Sequence, residues 1–271
     1  MVYFSLLTFM AQKREEDTIY VMTDAPQYYK RLASCITIIP LTQQQIDEWQ
    51  GQHRFFWRAK IKAIEKVIMT GETQPVIYLD GDTYLHGNIN NIRNILTEGH
   101  ALMHVNEGHP SKMKTKTLRM WETIKGRVYH NVTIGMEHDM WNAGVVALPA
   151  DKQKEAIQMA LDVCDGMLDD NAEPIVVEQY SLSIALYETF GLKPAIDTIG
   201  HYWGNKPEWL NFISEYMQTS FVMDLTIEEE VERLRKEINL KAIPYYKHYS
   251  HWRDILQKRL NRWKASIVKT Y

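Results

Sequence analysis

From residue 1 to about residue 200, short apolar and β-branched runs alternate with stretches of helical spacing. That alternation constrains the fold more than any other feature of the chain. The runs are Thr18–Met22, Cys35–Pro40, Val76–Leu79, Ala101–Val105 and Gly144–Leu148, and helical spacing occupies Phe55–Met69, Lys152–Leu168 and Val177–Phe190. Strands interleaved with helices predict an α/β sheet covered on both faces. Ligands of such sheets bind beyond the carboxyl ends of the strands. There the chain reads VIYLDGDTYL, an apolar run that ends on Asp80 and Asp82 with only Gly81 between them. Paired carboxylates are hard oxygen ligands suited to Mg²⁺ or Mn²⁺, ions that stay open to water and to phosphates. Gly81 permits a tight turn and the close approach of a ligand. Two aspartates at a strand end also serve as turn or helix-cap residues, but the apolar flanks here demand partners for the charges.

Four further segments carry chemistry. FFWRAKIKAIEKVI places Arg58, Lys60 and Lys62 at the start of a helix just before the acidic strand end. Each cation alone reads as part of a solvated face; beside the acidic pair, Lys60 and then Arg58 are the candidates for neutralising phosphate. MWNAGVVALPA sets Asn142 and Gly144 before another strand, where a simple turn would also use them. VVEQYSLSIAL opens a helix on Glu178 and Gln179, and an acidic residue there also suits the helix dipole. IDTIGHYWGNKPEW carries His201, Gly204, Lys206, Pro207 and Trp209 in a turn-rich, loop-like segment. His201 can supply a nitrogen to a metal and Lys206 an ammonium to a phosphate.

Taken in order, the strand ending in DxD, WNAG before a strand, EQ opening a helix and HYWGNKPEW resemble glycosyltransferase family 8 and its GT-A relatives, the glycogenin and bacterial galactosyltransferase type. The resemblance spans about residues 1–210. It implies a single Rossmann-like GT-A domain with a mostly parallel mixed sheet, followed over 211–271 by a C-terminal helical extension. It also implies Mn²⁺ (or Mg²⁺) and a nucleotide sugar, usually UDP-linked, as donor. By position, Asp80, Asp82 and His201 match the metal ligands, and Asn142 and Gly144 match the segment lining the donor sugar. Glu178 and Gln179 match the pair near the reacting carbon, Gly204 and Lys206 the diphosphate-binding part, and Thr23 and Asp24 nucleotide contacts. One residue, Asn205, separates Gly204 from Lys206 where the family has two, and Glu208 is inserted before Trp209. YFSLLTFMAQ matches the family's first helix, which normally follows a strand; the expectation is that this strand is missing here or that the sheet is built differently. The acceptor (carbohydrate, lipid-linked or protein) is left open. Family resemblance favours retention of anomeric configuration, which the residues themselves do not decide.

Composition is that of a globular protein: 271 residues, 45% hydrophobic and 24% charged, with a formal net charge of −3, a balance that argues against nucleic acid as a partner. No secretory leader is expected, and Cys35 and Cys164 read as buried thiols, so a cytoplasmic setting is predicted. Eight Trp and fifteen Tyr hint at a stacking or sugar-contacting surface. IEEEVERLRKEINLK reads as a charged helix. Between Tyr245 and Tyr271 seven Lys/Arg face one Asp, with Trp252, Ile255, Leu256, Leu260, Trp263 and Ile267 along one helical face. That helix packs on the domain or on a second subunit, or else attaches peripherally to the inner face of a membrane. Two rival functions stand beside the transferase: a non-catalytic sugar-nucleotide-binding or interaction protein, and a phosphatase of the haloacid-dehalogenase type, whose DxDxT signature DGDT resembles.

Overall fold

The computed structural model describes residues 1–70, 74–113, 115–237, 239–240 and 243–244. The chain starts in helix α1 (Val2–Met10) and then forms strands β1 (Tyr20–Thr23) and β2 (Thr37–Pro40). Helix α2 (Gln43–Trp49) follows, opened by a reciprocal capping box between Thr42 and Gln45, a device that satisfies two otherwise orphaned amides. In α3 (Arg58–Ile68) the buried residues are Ile61, Ile64 and Ile68, the spacing of one helical face. Strands β3 (Val76–Leu79) and β4 (Thr83–Leu85) flank the acidic turn, and α4 (Ile89–Thr97), capped by the Asn88 side chain, leads to β5 (Ala101–Met103).

The polar segment 106–131 is more ordered than its composition suggests. It holds β6 (Asn106–Gly108), α5 (Lys116–Ile124) and β7 (Val128–Tyr129). Met120, Trp121 and Ile124 of α5 are buried, an apolar stripe that the surrounding polar residues mask in sequence. After β8 (Val132–Thr133), β9 (Met140–Trp141) and β10 (Val145–Leu148) come the long helices α6 (Gln153–Asp169) and α7 (Val177–Phe190). The chain continues through β11 (Leu192–Pro194), β12 (Ile199–His201), α8 (Lys206–Val222) and α9 (Ile227–Glu237).

The central sheet has the order β11-β5-β10-β3. Strands β3, β5 and β11 point one way and β10 runs against β3 and β5, so the sheet is mixed. Its side chains alternate as the pleat requires. Val146 and Leu148, Ala101 and Met103, and Val76 and Tyr78 join the large core with α3, α5, α6 and α7. Val145 and Ala147, Leu102, and Ile77 and Leu79 join a second core with α4 and Phe9 of α1. The molecule is therefore α/β, with helices on both faces. Strands β1 and β2 form a separate parallel pair, and among the described residues no strand pairs with the edge of β3 opposite β10.

A third cluster joins Phe4 and Leu7 of α1, Tyr84 of β4, Tyr202, and Trp209, Ile213 and Tyr216 of α8. Helix α8 thus runs straight through the boundary expected at residue 210 and belongs to the same packing unit as α1 and β4. Helix α9 is the expected charged helix; the side chain of Glu230, fully buried, ties it to Arg31 Nη1 (2.8 Å) and Tyr3 Oη (3.0 Å). The predicted amphipathic helix beyond residue 245 lies outside the described residues. None of the described helices is long and apolar enough to cross a membrane.

Candidate metal centre

Asp80 follows β3, and Asp82 directly precedes β4. Strand β4 pairs antiparallel with β12, placing Thr83 opposite His201. That register brings His201, far off in the sequence, to the acidic pair. Ligand atoms of Asp80, Asp82 and His201 lie within 4.8 Å of one another. The two oxygens and one nitrogen suit a divalent cation such as Mn²⁺ or Mg²⁺. His201 was expected in a loop; it ends a strand instead and is held rigidly.

The imidazole is oriented from behind. Asn142 Oδ1 accepts from His201 Nδ1 at 2.9 Å, which leaves Nε2 facing Asp82 Oδ1 at 3.2 Å. A hydrogen bond to the far ring nitrogen is the usual way to fix a metal-ligating histidine. Asn142 Oδ1 also accepts from the Gly144 amide at 3.1 Å, and the Gly144 carbonyl accepts from the Asp80 amide at 2.9 Å. Gly144 itself forms the floor under the ring: a Cβ there would stand 2.2 Å from His201 Nδ1 and 2.3 Å from Cε1. Only glycine lets strand β10 begin beneath this histidine.

The two aspartates face different surroundings. Asp80 lies two residues beyond Tyr78, on the face covered by α3 and α7. Tyr78 Oη donates to Asp80 Oδ1 at 2.8 Å, and Lys60 Nζ is 3.3 Å from the same oxygen. Lys60 is buried and also reaches Glu178 Oε1 at 3.0 Å and the Ala143 carbonyl at 3.3 Å. Burial alone would lower the Lys60 pKa, but the Glu178 and Asp80 carboxylates overcome it and raise it, so the ammonium stays charged. Glu178 is pushed above the usual carboxylate range by burial, against the pull of Lys60.

Asp82 instead faces His201 and Lys206, whose Nζ is 2.8 Å from Oδ2. Burial would raise its pKa, yet the hydrogen bonds from His201 and Lys206 hold the carboxyl well below the usual range. Lys206 is the first residue of α8, with Pro207 in the first turn and Gly204 in the turn before it. Nearby, burial and the charge of His201 push the pKa of His104 down to about 3, and its ring meets that of His201 edge to face at 5.4 Å.

The expected site residues divide cleanly. Asp80, Asp82, His201, Lys60, Lys206, Asn142, Gly144, Glu178 and Gln179 form one connected network. Arg58 does not join it. Its guanidinium makes a two-pronged contact with Asp165 of α6 at 2.7 and 2.9 Å and donates to the Trp49 carbonyl. Residues two apart on a helix face in opposite directions, so Arg58 and Lys60 cannot both turn to the site. Thr23 ends β1, where its hydroxyl accepts from the Ala25 amide at 3.0 Å; among the described residues neither it nor Asp24 bonds to the triad.

One residue was missed. The exposed Glu107 of β6 accepts from Asn142 Nδ2 at 3.1 Å and from Gln179 Nε2 at 3.0 Å. Gln179 Oε1 in turn accepts from the Ala143 amide at 3.2 Å. Glu107 links the loop before β10 to the start of α7 and presents a carboxylate at the mouth of the site. Nothing in the sequence marks it: it is a single acid two residues past the apolar run Ala101–Val105.

A scan against protein-family models and a search of curated proteins give no match to this chain.

Proposed function

We propose that the protein is a metal-dependent glycosyltransferase of GT-A type, similar to family 8, that moves a sugar from a nucleoside diphosphate, UDP by preference, to an acceptor. The observation that carries this reading is the meeting of Asp80, Asp82 and His201 at one point, with Lys206 on one flank and Lys60, Glu178 and Gln179 on the other. Asp80, Asp82 and His201 would hold the ion. When bound, it supplies Lewis-acid stabilisation of a departing nucleoside diphosphate. Lys206, half-exposed beside Asp82, adds fixed positive charge for diphosphate oxygens. Asn142 keeps His201 oriented, and Gly144 leaves it room. Lys60 neutralises Asp80 and Glu178, so a second acid is tolerated in a buried place. Glu178 and Gln179 open α7 next to the Asn142–Gly144 turn, where a donor sugar would lie. There they steady a positively charged anomeric centre, and the family resemblance favours retention.

Release of UDP from UDP-glucose and UDP-galactose, measured with Mn²⁺, with Mg²⁺ and with EDTA, tests the reading. Turnover is expected only with metal, and Asp82→Asn should lower it roughly 100-fold or more. No metal-dependent turnover in the unmutated protein refutes the proposal.

A further inference from the structure

The FFW run before α3 is sorted by the fold in an unusual way. Phe55 packs against the large core, whereas Phe56 and Trp57 remain 58% and 49% exposed. Trp57 stands one helical turn before Ile61 and so extends the buried stripe of α3, but its ring comes out at the edge of the site. The Lys60 ammonium lies 5.9 Å from the Trp57 ring centroid, while the same ammonium touches Asp80 and Glu178. Phe56 meets Trp57 edge to face at 5.3 Å. The rings are thus one side chain away from the carboxylate expected beside the reacting carbon. Other well-exposed apolar side chains, such as Phe221 and Val222 at the end of α8 (87% and 80% exposed), have acidic Asp224, Glu228 and Glu229 nearby in the chain and none of the site's polar groups.

We infer that Trp57, braced edge to face by Phe56, is the stacking platform for a saccharide acceptor, deepening the transferase reading on which the inference rests. Sugar rings present a face of C–H groups that packs on an aromatic face, while their hydroxyls seek charged and amide partners at the rim. Lys60 stands beside Trp57 and reaches Glu178; Gln179 follows Glu178 in α7 and donates to the exposed Glu107. A lipid tail would cover the ring but make no use of the polar groups beyond it, which a saccharide's hydroxyls can engage, so a saccharide fits better than an alkyl chain.

Saturation-transfer NMR on the protein with Mg²⁺ and UDP, using maltotriose, cellotriose, methyl β-lactoside and octyl β-glucoside as probes, tests this. At least one probe should receive saturation on the C–H protons of one sugar face. Trp57→Ala should weaken its binding roughly tenfold, the loss of an aromatic contact, Trp57→Phe should keep most of it, and Phe221→Ala should leave it unchanged. Circular dichroism and melting of each variant report whether the fold survives. The platform is overturned by no transfer to any probe, by transfer confined to the octyl chain, or by sugar binding that persists in a folded Trp57→Ala protein. Calorimetric titration of UDP separates the two ideas. If UDP fails to bind while the Trp57-dependent sugar contact is seen, the nucleotide-sugar reading fails and the platform stands. If UDP binds and the sugar contact is missing, only the platform fails.

Discussion

Substituting Gly144 by alanine puts a single methyl group where the account needs empty space. The new Cβ would stand 2.2 Å from His201 Nδ1, against 3.4–4 Å for ordinary van der Waals contact. The backbone cannot retreat easily, because the Gly144 amide donates to Asn142 and its carbonyl accepts from Asp80. The imidazole must therefore move by about 1 Å, several times the ~0.2 Å latitude of a metal–ligand bond. It also loses the Asn142 Oδ1 contact that orients it. Disturbing a supporting residue of a metal ligand typically costs about 10–100-fold in affinity, and displacing the ligand itself should reach the upper end. Overpacking a buried site should also cost roughly 1–3 kcal/mol of stability. Calorimetric titration with Mn²⁺ and urea denaturation of Gly144→Ala measure both effects. A folded variant that binds Mn²⁺ as tightly as the unmutated protein refutes the reasoning about His201.

Two further outcomes are expected elsewhere. Glu230→Ala removes a fully buried carboxylate that ties α9 to Arg31 and Tyr3. Arg31 is half-exposed and can recover water, so the loss should be about 2–4 kcal/mol rather than more; a change within about 0.5 kcal/mol in urea denaturation contradicts the tie. His104 is buried with its pKa lowered to about 3, below the ~6.5 of an unfolded histidine. The unfolded chain therefore binds the extra proton first, and stability is lost as pH falls from about 6.5 towards 3. Between pH 7 and 5 this one group should remove roughly 2 kcal/mol. In His104→Gln, denaturation at the two pH values should show a difference smaller by that amount; an unchanged difference counts against a buried neutral His104.

Much of this arrangement was legible in sequence, and the reason is local. Val76–Leu79 forms the expected strand in full, and Val177–Phe190 forms a helix over the expected span, because runs of this length and periodicity state their own conformation. The acidic turn after β3 followed from the same local signal. What could not be read depends on register between distant segments. That Thr83 faces His201 across β4 and β12 is a property of pairing, and it decides that Lys206 meets Asp82 while Lys60 meets Asp80. Gly144 read as a turn residue or as part of the donor-sugar segment, and its place under the imidazole needs the histidine that folds over it. Glu107 gave no signal because an exposed acid has no local pattern. The Arg58 expectation could have been corrected in advance: two cations two residues apart on a helix point in opposite directions, so one of them had to face α6.

Asp80, Asp82 and His201 are proposed to bind one divalent cation that a nucleoside diphosphate also uses. Titration with Mn²⁺, followed by the electron paramagnetic resonance signal of the free ion, tests it most directly. One saturable site per chain is expected, tightened about tenfold or more by UDP through Lys206 and shared coordination, and abolished in Asp82→Asn and in His201→Ala. No saturable site in the unmutated protein, or binding in either variant as tight as in the unmutated protein, would contradict it.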